Sequence, residues 1–165
     1  MATFYSNKTS NGFTLCLDLN ETSYDIYTGT AIVSYKLYLT SGGWDFSQYA
    51  IGHEVVVGDT QISYLERGDK QYSLSTNSSL TLASGTATIH HGTGISISAS
   101  IDMAKVSYTP GDLSLTGTFD TTVYRSGARI KINEEWKSAI PWVKVNGVWK
   151  RALPWVKANG LWKRA

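Results

Sequence analysis

Trp142-Val143-Lys144-Val145-Asn146-Gly147-Val148-Trp149-Lys150-Arg151-Ala152 recurs thirteen positions later as Trp155-Val156-Lys157-Ala158-Asn159-Gly160-Leu161-Trp162-Lys163-Arg164-Ala165. Thirteen positions earlier a degenerate third copy reads Arg129-Ile130-Lys131-Ile132-Asn133-Glu134-Glu135-Trp136-Lys137-Ser138-Ala139. Such self-similarity marks copies of one supersecondary unit, and the unit is a β-hairpin. Asn-Gly flanked by β-branched or aliphatic residues supplies the two positive φ angles of a type I′ turn, whose twist matches the strands it joins. With Asn146-Gly147 at the tip, Val145 faces Val148, Lys144 faces Trp149, Val143 faces Lys150 and Trp142 faces Arg151. One face is then mostly aliphatic, and the other sets each indole across from a cation. Asn159-Gly160 repeats the pattern, with Trp155, Lys157, Trp162 and Arg164 on one face and Val156, Ala158 and Leu161 on the other. Pro141 and Pro154 end the units, since Pro cannot donate to a continuing ladder. In the first copy Glu134 stands at the turn glycine and Arg129 at a tryptophan, which reads as a junction unit.

Upstream, the period changes. Ala31, Val33, Tyr35, Leu37 and Leu39 alternate with Ile32, Ser34, Lys36 and Tyr38. Ile95, Ile97, Ala99, Ile101 and Met103 alternate with Ser96, Ser98, Ser100 and Asp102, the pattern of half-buried strands. Further strands are expected at Tyr49–Val57, Thr60–Leu65, Gln71–Ser75, Ser79–Leu82, Gly85–His90 and Asp112–Phe119, between turns such as Ser41-Gly42-Gly43, Gly58-Asp59 and Pro110-Gly111-Asp112. No window shows a helical period. The expected fold is all-β: an antiparallel β-sandwich, Ig-like or jelly-roll-like, with an open barrel as the second reading, over residues 1–125, followed by three tandem hairpins over 126–165 (129–139, 142–152 and 155–165).

Charge divides the chain at the same place. Residues 1–124 carry 5 Lys/Arg against 11 Asp/Glu, a balance of −6; residues 125–165 carry 10 against 2, a balance of +8. Five of the 6 tryptophans lie in the second part.

The residues offer no catalytic constellation, and the expectation is that the protein is not an enzyme and uses no metal or cofactor. His90 and His91 are adjacent in a strand-like run and so point to opposite faces. His53-Glu54 lacks the second histidine of a zinc-protease helix, and no Gly-x-Ser-x-Gly elbow occurs. Cys16, the single cysteine, alternates against Leu15, Leu17 and Leu19 and has no basic neighbour to make a thiolate. Glu66, Asp69, Glu134 and Glu135 read as solvated turn carboxylates. The N-terminal run lacks the basic and apolar regions of a signal peptide, and no stretch reaches the roughly 18 apolar residues of a membrane span.

The candidate site is therefore the tail: Trp136, Trp142, Trp149, Trp155 and Trp162 with Lys144, Lys157, Arg151 and Arg164, on turns made by Asn146, Gly147, Asn159 and Gly160. A hairpin this short is marginal alone, so these side chains are expected to act as glue between repeats or subunits, in a homo-oligomer. The second reading is a carbohydrate-binding module, with the indoles stacking on host cell-wall saccharide. Nucleic acid is not expected as a partner, because the pairing of each cation with an indole engages the tail's charge locally.

Three stretches carry a resemblance: 25–39 (Asp25-Ile26-Tyr27-Thr28-Gly29-Thr30-Ala31 onward), Gly85-Thr86-Ala87-Thr88-Ile89-His90-His91 followed by 94–100, and Thr121-Thr122-Val123-Tyr124-Arg125-Ser126. The first 125 residues resemble a domain of uncharacterised function in structural proteins of siphophages infecting Gram-positive bacteria. The Trp-Val-Lys-Val-Asn-Gly-Val-Trp-Lys unit is similar to hairpin repeats that end many phage tail proteins. The resemblance implies a bacteriophage virion protein, in the tail, baseplate or decoration of the particle, made in the host cytoplasm and partnered by other virion proteins.

Overall fold

The structure is a computed structural model that describes residues 1–25, 28–122 and 128–164. Two compact units divide it, one of Met1–Tyr24 with Ala31–Thr122 and the other of Asp25–Thr30 with Val123–Ala165. The chain is all-β, with no helix among the described residues. The first unit holds β1 (Ala2–Tyr5), β2 (Thr14–Asp25, reaching the division), β3 (Thr30–Thr40), β4 (Phe46–Val57), β5 (Thr60–Leu65), β6 (Gln71–Leu74), β7 (Ser79–His90), β8 (Ile95–Met103) and β9 (Leu113–Phe119). One sheet is ordered β1-β2-β3-β7; the other is ordered β5-β4-β8-β9, with β6 also pairing β4. Alternation along most of these strands turns one face of each sheet inward. Leu15, Leu17, Leu19, Val33, Leu37 and Leu39 from the first sheet meet Ile51, Val55, Val57, Ile101 and Met103 from the second in one core cluster. Each such side chain stabilises the fold by about 1.5–3 kcal/mol on burial. Gly117 of β9 makes room for Phe4 of β1, whose Cδ1 lies 2.7 Å from where a Cβ would stand.

Two details depart from the expected strands. Ser79–Leu82 and Gly85–His90 are one strand, β7, not two. Its core residues change phase, from Leu80 and Leu82 to Ala87 and Ile89, so alternation alone reads a break. The N-terminal β1 pairs with β2 through Ala2↔Leu19 to Tyr5↔Cys16, a strand too short for its pattern to show.

The strand directions sort the connections into two poles. At one pole, loops 6–13, 41–45, 75–78 and 104–112 are tied together: Gly42 N donates to Gly12 O (3.1 Å), Ser41 N to Ser78 O (3.0 Å), and the Asn11 amide to Ser107 O and Thr109 O (3.1 and 3.2 Å). At the other pole Gly58 N donates to Ser96 O (2.7 Å), Thr121 N to Gly92 O (2.9 Å) and Gly94 N to the Asp120 carboxylate (2.7 Å). Here Glu21 Oε2 accepts both the N–H and the hydroxyl of Thr122 at 2.8 Å, fixing the last residue of the sandwich unit.

The second unit contains three separate two-stranded sheets: β10 (Arg129–Ile132) with β11 (Glu135–Ser138), β12 (Trp142–Val145) with β13 (Val148–Arg151), and β14 (Trp155–Ala158) with β15 (Leu161–Arg164). The turn angles are those of type I′, with φ of 49° and 81° at Asn146 and Gly147 and 53° and 79° at Asn159 and Gly160. The first copy keeps the same turn without glycine, Asn133 at 49° and Glu134 at 68°. Left-handed backbone at a residue with a Cβ costs about 1–2 kcal/mol.

His53 sits on the inward side of β4 between Ile51 and Val55 and is 7% exposed. Its Nε2 meets Ser63 Oγ at 3.0 Å, and its buried Nδ1 has no hydrogen-bond partner among the described residues. Burial first, and the charge of Lys70 second, hold its pKa below the ordinary 6.5. The folded protein thus rejects a proton that the unfolded chain accepts. Stability is expected to be flat above about pH 6.5, to fall as the pH drops below it, and to level off below the folded pKa. Thermal melts of wild type and His53→Gln between pH 7.5 and 5 check this: the variant should lose the histidine-linked part of the slope, and identical slopes would contradict it. In the tail, Gly147→Val and Gly160→Val should each abolish cross-strand NOEs in their own hairpin. Glu134→Gly should strengthen the first hairpin by about 1 kcal/mol. A weaker first hairpin in that variant would contradict the turn assignment.

Candidate functional site

Each hairpin places its side chains by register. β12 and β13 pair Trp142↔Arg151, Val143↔Lys150, Lys144↔Trp149 and Val145↔Val148, as the Asn-Gly position requires. β14 and β15 pair Trp155↔Arg164, Val156↔Lys163, Lys157↔Trp162 and Ala158↔Leu161. β10 and β11 set Lys131 across from Trp136 and Ile130 across from Lys137. The hairpins close with one further bond where it is described, Ala139 N to Ala128 O (3.0 Å) and Ala152 N to Pro141 O (2.9 Å). Pro141, without an N–H, still accepts at its carbonyl.

Two chemically distinct faces result, and neither is covered. Trp142, Trp149, Trp155 and Trp162 are 51–65% exposed, and Trp136 is 63% exposed. On the opposite face Val143, Val145, Val148, Val156 and Leu161 are 41–67% exposed. Lys144 Nζ lies 5.9 Å from the Trp149 ring and Arg151 Cζ lies 5.5 Å from the Trp142 ring, so each cation rests near the indole across from it. Such contacts stabilise exposed sites by about 0.5–1 kcal/mol. The arrangement presents flat indole rings and branched aliphatic side chains to solvent on opposite faces of each hairpin.

The other sequence candidates lie apart from one another. Cys16 is on the face opposite the leucines, but it too is buried, beneath Tyr5, Tyr38 and Thr40. Burial pushes its thiol pKa up, and the same burial with Cys16 beside it pushes the Tyr38 phenol up to about 12. A thiol held protonated is no nucleophile. Among the described residues no three His, Cys, Asp or Glu side chains come together as a metal site. Among the described residues no helix is long and apolar enough to cross a membrane. Sequence reading missed a concavity of about 290 Å³ on the outer face of β4, β5 and β8, lined by Glu54, Tyr64, Arg67, Ser100 and Asp102. Arg67 and Asp102 pair across it at 2.8 Å, both well exposed. An ion pair so wet stabilises by about 0–1 kcal/mol.

Comparison with known proteins finds one family, described as "Siphovirus protein of unknown function (DUF859)", matching residues 1–136. No curated protein and no solved structure matches. The match continues past the sandwich unit and ends at Trp136, inside the first hairpin; the two regular hairpins, from Trp142 on, lie beyond it. With 136 of its 165 residues matched, the chain belongs to this siphovirus family of unknown function.

Proposed function

We propose that this phage protein is a structural subunit of the virion, in the tail or baseplate, that assembles through its hairpin tail. The observation that carries this is the exposure of both faces of the second and third hairpins, apolar on one side and Trp/cation on the other. A two-stranded sheet of this size has too little buried area to be stable alone. Repeated units with the same two faces stack on copies of themselves, and a symmetric homo-oligomer buries those faces many times over. Charge works in the same direction. A tail at +8 and a sandwich at −6 attract across neighbouring copies, steering their encounter. Other virion proteins with matching apolar faces are the further partners.

The second reading is that the same indoles bind host cell-wall saccharide; their exposure supports it, and the cations lying across from Trp142 and Trp149 compete with it. Trp149→Ala with Trp162→Ala separates the two. Interface tryptophans contribute about 2 kcal/mol each when they are hot spots, so the double variant should weaken self-association by well over tenfold. Sedimentation velocity of both proteins, paired with a pull-down on host cell walls, reads the result. An unchanged oligomer that no longer binds walls would overturn assembly in favour of saccharide recognition.

A further inference from the structure

The pole of the sandwich opposite Thr122 contains a backbone distortion at the start of β4. Along β4 the register to β6 runs Phe46↔Leu74 and then Tyr49↔Tyr72, so one extra residue is inserted. Gln48 takes it up at φ 58°, left-handed backbone on a residue with a Cβ. Its N–H donates to Ser73 Oγ at 3.1 Å. Without the insertion, alternation would send Tyr49 to the face opposite Phe46. With it, Tyr49 packs edge-on against Phe46 (6.1 Å) and against Tyr108 (5.8 Å), and its hydroxyl donates to the Tyr108 hydroxyl at 2.7 Å. Phe46 in turn meets the fully buried Phe13 at 5.9 Å, so a line of rings runs from the core to the surface. Strain of this kind persists where the surroundings over-determine it, and bulges re-aim side chains at binding sites.

Two exposed aromatics stand at this pole on fixed backbone. Tyr108 is 42% exposed, on a loop held by the buried Thr109 hydroxyl, which donates to Ala104 O (2.8 Å) and accepts from Val106 N (2.9 Å). Trp44 is 49% exposed, and the Ser41 hydroxyl bonds both its N–H and its carbonyl. The four loops carry Lys8 and Lys105 against Asp45 and Asp112, a net charge of zero, and are otherwise rich in Asn, Ser and Thr. Having accepted from Tyr49, the Tyr108 hydroxyl keeps its own proton, with no acceptor among the described hydrogen bonds.

From these observations we infer that the 6–13, 41–45, 75–78 and 104–112 loop pole is a binding surface for an uncharged saccharide chain. Trp44 and Tyr108 offer their rings to the C–H faces of sugars, and the Tyr108 hydroxyl donates to a sugar oxygen. Polyanions such as nucleic acid call for excess cations, which are absent here. A protein hot spot calls for a desolvated apolar centre, whereas this surface is hydroxyl- and amide-lined. The inference goes beyond the assembly reading and assigns recognition to residues outside the tail.

The test uses the full chain at a concentration where it is monomeric, titrated calorimetrically with a panel of neutral wall polysaccharides purified from Gram-positive bacteria and with dextran sulfate as a polyanion. At least one neutral polysaccharide should bind and dextran sulfate should not. Trp44→Ala should weaken binding roughly tenfold and Tyr108→Phe by a few-fold, at unchanged melting temperature. Trp149→Ala with Trp162→Ala should bind the polysaccharide as wild type does, whatever happens to its assembly. Should Trp44→Ala fail to fold, Tyr108→Phe, which removes one exposed hydroxyl and its bond from Tyr49 and keeps the ring, decides at a melting temperature equal to that of wild type. Absence of binding to every neutral polysaccharide, preference for dextran sulfate, wild-type affinity in the pole variants, or loss confined to the tail variant would each overturn the inference.

Discussion

Two paired strands of four residues have two faces and bury neither, and this limit governs the C-terminal quarter of the chain. Cross-strand pairs contribute about 0.2–1 kcal/mol each, against a backbone ordering cost of about 1–2 kcal/mol per residue. The type I′ turns and the cation–indole contacts narrow the gap, yet a single hairpin stays marginal. Five tryptophans and a set of valines are left half in water, and on the proposed function a partner surface covers them. The sandwich faces no such limit. Its two sheets cover each other's inner faces, and its core residues from Phe13 to Phe119 are closed from solvent within one chain.

The turn residues explain why the tail was legible in the sequence to the individual pair. Asn146-Gly147 fixes the turn type locally, and the turn fixes the register, so Val145↔Val148 and Trp142↔Arg151 follow from position alone. The sandwich was legible only as a set of strands. Leu15 to Leu19 and Ile95 to Met103 declare their inward faces by period, but strand order depends on contacts far apart in sequence. The phase change within β7 and the insertion at Gln48 both break the period from which strands are read. The Tyr49–Tyr108 contact joins residues 59 apart and needs the bulge to exist, so nothing in the local sequence signals it.

The family match ends at Trp136, in the hairpin whose turn lacks glycine and whose first strand has Arg129 in place of tryptophan. That copy keeps the type I′ geometry at the expense of left-handed backbone at Glu134. The two copies beyond the match carry the relaxed Asn-Gly turn and the full Trp/cation face. In chain order, then, the degenerate hairpin comes first and the two regular ones follow it.

Hydrogen–deuterium exchange of the tail amides as a function of protein concentration tests the central claim most directly. If the hairpins gain their stability from contacts between copies, amides of 142–151 and 155–163 should exchange fast in dilute solution. They should become protected as oligomers form, while the sandwich amides stay protected throughout. Tail amides that are protected in the monomer, or that remain unprotected in the assembled protein, would contradict the account.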